Sequence, residues 1–185
     1  MVNFLYLLLY FSVFSSPLVS DEYHNLVKRQ IECINQIKQL SKQFEEQYKT
    51  RYLQNFLNND VNRPDYSFNL DLMIQKKMTI DEARPLIVSM IRQFWQLMKT
   101  NPNFVSVRNY LVSPPKQLTP NNIAIKLSFW DENMDRYHAP YVALIHAKYS
   151  EIAYYFTNPE DQFLQEKPQK ESFEEAFQRS GVSLN

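Results

Sequence analysis

A single glycine, Gly181, in a chain of 185 residues is the feature that most constrains the fold. Glycine alone adopts the left-handed backbone conformation without a steric penalty, so tight turns elsewhere must use other residues. The expected turns contain Asn58-Asn59-Asp60, Pro114-Pro115 and Asn158-Pro159. The lack of further glycines also excludes phosphate-cradling loops, dinucleotide fingerprints and the Gly-x-Ser-x-Gly nucleophile elbow, because each of them needs glycine for close backbone approach.

Residues 1–20 have the layout of a signal peptide. The apolar run over residues 4–14 is broken only by Ser12, and the segment ends in the small residue Ser20. We therefore predict cleavage after Ser20 and a secreted protein that begins at Asp21. The alternative is an uncleaved membrane anchor, but the apolar segment would extend only about 24 Å, which is short of a hydrocarbon core of ~30 Å.

The charge balance excludes two classes of partner. The chain carries 20 basic and 20 acidic side chains, and no basic stripe is evident in the sequence. Nucleic acid is therefore not an expected partner, and no membrane association is expected once the signal peptide is removed. The remaining length fits one domain. We place this domain at residues 21–160, followed by a polar C-terminal tail at residues 161–185.

The only cysteine, Cys33, excludes an internal disulfide bond. In a helical projection Cys33 lies close to Ile37, inside an apolar stripe. This position favours a buried small hydrophobic side chain, and the alternative is a disulfide bond to another chain. The sequence contains no Asn-x-Ser/Thr triplet, so N-glycosylation is not expected.

The pattern over residues 21–57 is helical, but one unbroken helix does not fit it. Leu53 and Leu57 lie on the opposite side of the helical projection from Ile37. A single helix of that length would also extend about 55 Å, which exceeds the diameter of a compact domain of this size. We therefore predict a long helix followed by a short, reoriented helix near residues 50–57.

A strand and a second helix follow. Apolar and polar side chains alternate over residues 66–74, which predicts a strand with one buried face. Asp71 lies on the polar side of this strand and is expected to face solvent. The sequence Thr79-x-x-Glu82 predicts a capping box that opens a helix, and Asn101-Pro102 ends it.

The remaining chain predicts four strands and a short helix. The links between the strands are short, so antiparallel hairpins are the simplest arrangement. In the tail, Ser172-x-x-Glu175 is expected to cap a final helix that ends at Gly181, and we expect the tail to be loosely held. The four predicted strands cover residues 104–112, 123–130, 141–149 and 152–157.

This order of elements resembles the nuclear transport factor 2-like superfamily, in which a curved sheet wraps around a long N-terminal helix. The resemblance covers residues 21–159 and rests on element order and strand length. The predicted fold class is α+β, with a long N-terminal helix packed in a curved, mainly antiparallel sheet in the order α-α-β-α-β-β-β-β. A cystatin-like helix-on-sheet fold is the structural alternative.

The resemblance carries functional expectations. Small secreted members without known activity look like the nearest relatives, and domains of this superfamily often dimerise through the outer face of the sheet or enclose an apolar pocket. Two enzyme lines, the ketosteroid isomerases and the scytalone dehydratases, use Asp, Tyr or His inside that pocket. A general base in such a pocket would be a buried ionisable group on an inward face. His146 is the candidate, but its alternation pattern does not decide which face it occupies.

We predict no catalytic set, no metal site and no cofactor. One cysteine cannot build a structural zinc site, and no His-Glu-x-x-His motif exists. Asp131-x-Asn133-x-Asp135 copies the first ligand positions of a calcium loop, but Arg136 and Val142 occupy the positions that require Gly and Glu. A solvated hairpin loop is the better interpretation of this segment.

Aromatic residues make up 15% of the chain and concentrate in its second half. They are consistent with a ligand pocket, with a partner-binding sheet face, or with an ordinary core and surface tyrosines. Tyr154 and Tyr155 are neighbours on a strand, so they point to opposite faces. A pocket inside the sheet would be lined by the predicted ligand-binding residues Phe94, Leu127, Phe129, His146 and Tyr154.

Three functional hypotheses follow from these observations. The first is a secreted, non-enzymatic domain that binds an unknown protein partner, forms a homodimer or holds a small apolar ligand. The second is a cofactor-independent isomerase or dehydratase that uses His146 or a nearby tyrosine. The third is a structural secreted component without a ligand, which the sequence does not separate from the first.

Overall fold

A computed structural model describes residues 17–58, 67–111, 118–158 and 167–182. These residues form an α+β fold in which a long N-terminal helix precedes an open, mixed six-stranded sheet. The elements in chain order are α1 (Pro17–Tyr48), β1 (Thr50–Asn58), β2 (Ser67–Ile74), α2 (Ile80–Thr100), α3 (Pro102–Leu111), a 3-10 turn (Pro120–Asn122), β3 (Ile123–Phe129), β4 (Leu144–Lys148), β5 (Glu151–Tyr155), β6 (Gln169–Ser172) and α4 (Phe173–Ser180).

The helix α1 buries the apolar stripe that its sequence predicts. Its core residues recur at helical spacing and include the fully buried Cys33, Ile37 and Phe44. Residues 17–20 of the predicted signal peptide belong to α1, and residues 1–16 lie outside the described residues, so cleavage after Ser20 stays a prediction. Among the helices that the structure describes, none is both long and apolar enough to cross a membrane.

The short helix predicted near residues 50–57 is wrong, because this segment forms β1. The chain leaves α1 through Lys49, whose φ of 59° turns the backbone, and the Glu45 carboxylate accepts a hydrogen bond of 2.8 Å from the Tyr52 N–H. A register shift between Tyr52 and Gln54 follows, and Leu53 is 49% exposed. Leu53 and Leu57, which do not fit the apolar stripe of α1, therefore belong to the separate strand β1. The backbone of β1 pairs with β2.

The strand β2 confirms the prediction for residues 66–74 within the described residues, but both of its faces are buried. It is an inner strand of the sheet, paired with β1 on one side and with β3 on the other. Asp71 is only 7% exposed, so the expectation that it faces solvent is wrong. The alternation of apolar and polar residues therefore distinguishes an apolar face of β2 from a more polar face, and both faces are buried.

The strand predicted at residues 104–112 is also wrong, because this segment forms α3. Phe104 and Val107, one helical turn apart, are fully buried, as expected for one face of a helix. The Phe104 ring packs edge-on against Phe68, with ring centroids 4.8 Å apart. Val112 lies outside the described residues.

The sheet order β1-β2-β3-β4-β5-β6 follows the chain. The strands β2 and β3 are parallel because α2 and α3 connect them, whereas all other neighbours are antiparallel. The predicted strands at residues 123–130, 141–149 and 152–157 are confirmed as β3, β4 and β5 with shorter bounds. The predicted capping box of α2 is also present, with the Glu82 carboxylate accepting from the Thr79 N–H at 2.8 Å.

The C-terminal segment at residues 167–182 packs on the domain rather than hanging loosely from it. The strand β6 pairs with β5, and Phe173 and Phe177 of α4 are buried in the core. The predicted cap of α4 is confirmed, because the Ser172 hydroxyl accepts from the Glu175 N–H at 3.1 Å. Gly181 ends the helix with a φ of 67°, which is the left-handed conformation that favours glycine.

Candidate functional site

The five predicted ligand-binding residues lie on two different sides of the sheet. Phe94 on α2 and the strand residues Leu127, Phe129 and Tyr154 belong to one core cluster and are at most 1% exposed. His146 is adjacent to Ile145, which is also in that cluster, so it points to the opposite face. The structure therefore brings four of the five together and separates His146 from them.

Two clefts are formed by the described residues, and neither is lined by any of these five. The first, of about 400 Å³, lies at the C-terminal end of α1 and includes Lys49, Ile74, Lys76, Met78 and Leu86. The second, of about 290 Å³, is a groove between α1 and α2 lined mainly by glutamine side chains. The predicted ligand site in the core stays a prediction.

The sheet face opposite the helices, which we call the outer face, has a polar character. Its buried apolar residues, such as Met73, Leu144 and Ala153, lie outside the main core cluster. The alternation along each strand assigns the rest of the face. The outer face comprises Asn69, Asp71 and Met73 of β2, Ala124, Lys126 and Ser128 of β3, Leu144, His146 and Lys148 of β4, Glu151, Ala153 and Tyr155 of β5, and Lys170 of β6.

A row of polar residues crosses the middle of the outer face. The strand register places Gln54 opposite Asp71, Asp71 opposite Lys126, and Lys126 opposite His146. The Gln54 side-chain amide donates a hydrogen bond of 2.9 Å to the Asp71 carboxylate. This hydrogen bond gives one oxygen of the buried Asp71 carboxylate a donor, which lowers the cost of burying the charge.

His146 is neutral at physiological pH. Its pKa is lowered to about 4, mainly by burial and also by the positive charges of Lys148 and Lys126, while Asp71 opposes the shift. Desolvation and like charges both disfavour the imidazolium. The neutral ring therefore lies beside Lys126 and Lys148 without adding a further positive charge to the face.

Three lysines of the outer face, Lys126, Lys148 and Lys170, form a basic patch, and the carboxylates of Asp71 and Glu151 lie on the same face. Lys126 is exposed and Lys148 is half-buried, and within the described ranges neither has an ion-pair partner. Lys170 forms a surface ion pair of 2.9 Å with Glu151. Sequence reasoning missed this patch because strand pairing assembles lysines that lie far apart along the chain.

A buried network around Glu171 lies on the other side of the sheet. Its carboxylate accepts hydrogen bonds from the Tyr154 hydroxyl at 2.5 Å and from Arg84 Nε at 2.9 and 3.0 Å. Arg179 Nη1 adds a third donor group at 3.3 Å. Both carboxylate oxygens are occupied, so Glu171 is positioned as a structural anion rather than as a general base.

The network shifts the pKa of the groups that donate to Glu171. Burial raises the pKa of Tyr154, and the hydrogen bond to Glu171 raises it further. Burial by itself lowers the pKa of Arg84, but the hydrogen bonds to Asp81 and Glu171 outweigh this effect and raise it overall. No sequence motif indicated the network, because its members come from α2, β5, β6 and α4.

Residues 131–135, which match the first ligand positions of a calcium loop, form a hairpin turn. The Asp131 carboxylate accepts from the N–H groups of Asn133 and Asp135 at 2.9 and 2.8 Å. The Asp131 N–H donates to the Asp135 carbonyl at 2.8 Å. The carboxylate therefore stabilises a hairpin turn, as the interpretation of a hairpin loop expects. No group of His, Cys, Asp and Glu side chains in the described part of the chain is arranged to hold a metal ion.

Comparison with known proteins adds no relative: no protein-family model, no curated protein and no solved structure matches the chain.

Proposed function

We propose that the protein is an exported, non-enzymatic interaction domain that binds an acidic protein surface through the outer face of β3–β6. The observation that carries this proposal is the pair of lysines, Lys126 and Lys148, that reach solvent without an ion-pair partner among the described residues. Unpaired charges on a sheet face steer and orient a partner of opposite charge. The neutral His146 and the half-buried Tyr155 supply less polar contact area beside them.

The positive charge of the basic patch favours a different protein, rather than a second copy of this chain, as the partner. A twofold symmetric interface would place the same surface against itself. Lys126 and Lys148 would then oppose each other across the interface, with like charges close together. An acidic partner removes this repulsion, so it is favoured over the homodimer.

Export of the protein is supported by the apolar run at residues 4–14 and by the small residue Ser20. The nuclear transport factor 2-like resemblance remains part of this proposal, and it rests on the long first helix followed by a sheet. N-terminal sequencing of the protein recovered from culture medium tests export. A first residue of Asp21 is expected, and an intact N-terminus in the membrane fraction would contradict export.

The binding surface is tested with a short peptide of alternating Glu and Leu, titrated into isotopically labelled protein and followed by NMR. We expect saturable shifts of backbone resonances centred on Lys126, His146 and Lys148. Raising the salt concentration from ~50 to ~300 mM shortens the range of electrostatic attraction and should weaken binding. A peptide of alternating Lys and Leu should leave the spectrum unchanged.

A charge reversal separates this surface from the net charge of the protein. The double variant Lys126→Glu, Lys148→Glu should abolish binding of the acidic peptide. The matched control Lys38→Glu, Lys42→Glu changes two exposed lysines of α1 by the same total charge and should bind normally. Equal loss in both double variants, or a dimer by light scattering that Lys126→Glu dissociates, would contradict the proposal.

A second candidate function follows from the cleft of about 400 Å³, which is within the size range of small-molecule sites. Its apolar residues Ile74, Met78 and Leu86 and its two lysines fit a small molecule with an apolar body and an acidic group. Calorimetric titration with decanoate tests this, and Lys49→Gln with Lys76→Gln should weaken binding. Absence of heat with decanoate and of retained ligand in native mass spectrometry would remove this candidate.

A further inference from the structure

The hairpin that follows β3 continues the outer face beyond the lysines. Trp130 extends the alternation of Lys126 and Ser128, and Arg136 pairs with Trp130 through an antiparallel bridge. The Trp130 N–H donates to the Ile74 carbonyl at 3.0 Å. The backbone of both residues is therefore held, and their side chains lie side by side.

The two side chains form a cation–π pair. The Arg136 guanidinium carbon lies 4.7 Å from the centroid of the Trp130 ring, within the range of an attractive contact. Burial lowers the pKa of Arg136, as expected for a cation that loses water. The ring holds the guanidinium in place but provides no hydrogen-bond acceptor.

Both side chains have a buried donor that finds no acceptor among the described residues. Trp130 Nε1 and Arg136 Nη1 are shielded from solvent, and neither has a hydrogen-bond partner in that part of the chain. Asp131 Oδ1 in the same loop accepts from two backbone N–H groups, and no acidic side chain in the described ranges forms an ion pair with Arg136. A buried donor without an acceptor is rare and unfavourable, and more so when it is charged.

We propose that Trp130 and Arg136 form a carboxylate-binding site. A carboxylate offers two acceptor oxygens and a negative charge, which match one guanidinium donor and one indole donor. Arg136 is half-buried, so a carboxylate can reach the exposed part of its side chain from solvent, and binding to the two shielded nitrogens requires the side chains to rotate. The carboxylate comes from an acidic side chain of a protein partner or from a free small acid.

The site goes beyond the proposed basic patch because it depends on oriented donors rather than on the charges of Lys126 and Lys148. Because the Trp130–Arg136 site lies on the same face, a partner would place one carboxylate in a fixed position there. Lys126 and Lys148 would add electrostatic attraction without a fixed geometry. The two proposals can fail independently. The Lys126→Glu, Lys148→Glu variant should keep the carboxylate site, whereas changes at Arg136 should remove it.

The chain contains two tryptophans, so the variant Trp95→Phe leaves Trp130 as the only indole signal. The indole N–H resonance of this variant is followed by NMR during titration with sodium acetate, with sodium chloride added to keep the ionic strength constant. We expect a saturable downfield shift, because the N–H gains an acceptor. The same titration with the peptide of alternating Glu and Leu identifies the source of the carboxylate.

Variants of Arg136 test the assignment. Arg136→Lys keeps the charge but loses the planar donor geometry and should weaken acetate binding about tenfold, while Arg136→Gln should abolish it. Lys77→Gln is the matched control, since Lys77 lies 4.0 Å from the Tyr141 ring centroid, and it should bind acetate normally. If Arg136→Gln does not fold, the lysine variant still provides the comparison.

The titrations with acetate and with the acidic peptide have distinguishable outcomes. A saturable shift with acetate assigns the site to small acids as well as to protein carboxylates, and a shift with the acidic peptide alone assigns it to a protein partner. The proposal is overturned if neither probe moves the Trp130 indole resonance, if the shift persists in Arg136→Gln, or if inorganic phosphate binds more tightly than acetate.

Discussion

The Tyr154 hydroxyl donates a hydrogen bond of 2.5 Å to Glu171 Oε1, and this contact joins β5 to β6 on the core face of the sheet. The side chain of Arg84 brings α2 to the same carboxylate, and Arg179 adds α4. The interaction explains why a polar C-terminal segment packs on the domain. Phe173 and Phe177 pack in the core, and the buried carboxylate adds charged hydrogen bonds to these hydrophobic contacts.

Replacing Tyr154 by Phe should lower the free energy of unfolding by about 2 kcal/mol, because it removes a donor from a buried carboxylate. Urea unfolding followed by circular dichroism measures the loss. Tyr155→Phe is the matched control on the outer face and should change the stability by less than about 0.5 kcal/mol. Equal effects of the two variants would contradict a specific role of the Tyr154–Glu171 hydrogen bond.

Replacing Glu171 by Ala should be more destabilising, by about 3–5 kcal/mol, because it leaves the largely buried guanidinium of Arg84 with only the exposed carboxylate of Asp81 and removes the acceptor of the Tyr154 hydroxyl. Hydrogen exchange should also become faster in β6 and α4. Glu174→Ala changes an exposed carboxylate one turn away and should have little effect on either measurement. Unchanged exchange in β6 would show that packing alone holds this segment.

Cys33 should not react with a thiol reagent in the native protein. The side chain is fully buried and burial raises its pKa to about 12, so both access and thiolate formation are disfavoured. One thiol should react after unfolding in urea. An exposed thiol on the same helix, Ile31→Cys in a Cys33→Ala background, is the positive control, since Ile31 is 53% exposed. Rapid native labelling of Cys33 would contradict burial.

Protonation of His146 should destabilise the native state. Its pKa in the folded protein, about 4, lies below its ordinary value of 6.5, so the unfolded chain binds the proton more readily. This stability is therefore fully present above pH 6.5 and decreases as the pH falls from 6.5 towards 4. The groups that act on the ring are Lys148, Lys126 and Asp71.

We expect a contribution of about 2 kcal/mol after allowance for solvent screening of this half-buried ring. Urea unfolding at pH 7.5 and pH 4.5 should therefore show a smaller loss of stability in His146→Gln than in the parent protein. All other ionisable groups are the same in the two proteins, so the comparison isolates His146. An identical pH dependence of the two proteins would show that His146 titrates normally.

Replacing Gly181 by Ala should lower the free energy of unfolding by about 1 kcal/mol. The loss comes from the φ of 67°, which is unfavourable for a residue with a Cβ atom. Steric contact adds nothing, because a Cβ atom built here meets no atom within 4 Å. Gly181→Asn should lose less, since Asn tolerates this conformation better. Equal stability of the alanine variant, measured by urea unfolding, would contradict the argument.

Several elements were predictable because their signals are local. The capping boxes at Thr79 and Ser172 depend on residues three positions apart, and the structure confirms both. The burial of Cys33 follows from its position in the apolar stripe of one helix. The strands β3, β4 and β5 also follow from short alternating segments.

Two elements were predicted with the wrong type. Residues 50–57 and residues 104–112 are short, and apolar residues in short segments fit a helix and a strand almost equally well. Neighbouring structure decided both cases. The segment after Lys49 finds backbone partners on β2 and becomes a strand, while Phe104 and Val107 pack into the core from a helix.

The candidate sites were the least predictable part of the molecule. The alternation around His146 left its direction open, because both faces of β4 carry apolar residues. The pairing of Lys126 with His146 and the approach of Arg84 to Glu171 join residues that are distant in the chain. Cross-strand neighbours and helix-to-strand contacts have no local signature in a single sequence.

The sequence by itself determined the α+β class, the long first helix, the helix caps and the absence of an internal disulfide bond, because each depends on residue type or on spacing within one element. Only the tertiary structure decided which polar residues are buried, which charges share a face and which donors lack an acceptor. These properties depend on strand register and on the packing of separate elements. Asp71, polar in pattern but buried between two neighbouring strands, is the clearest case.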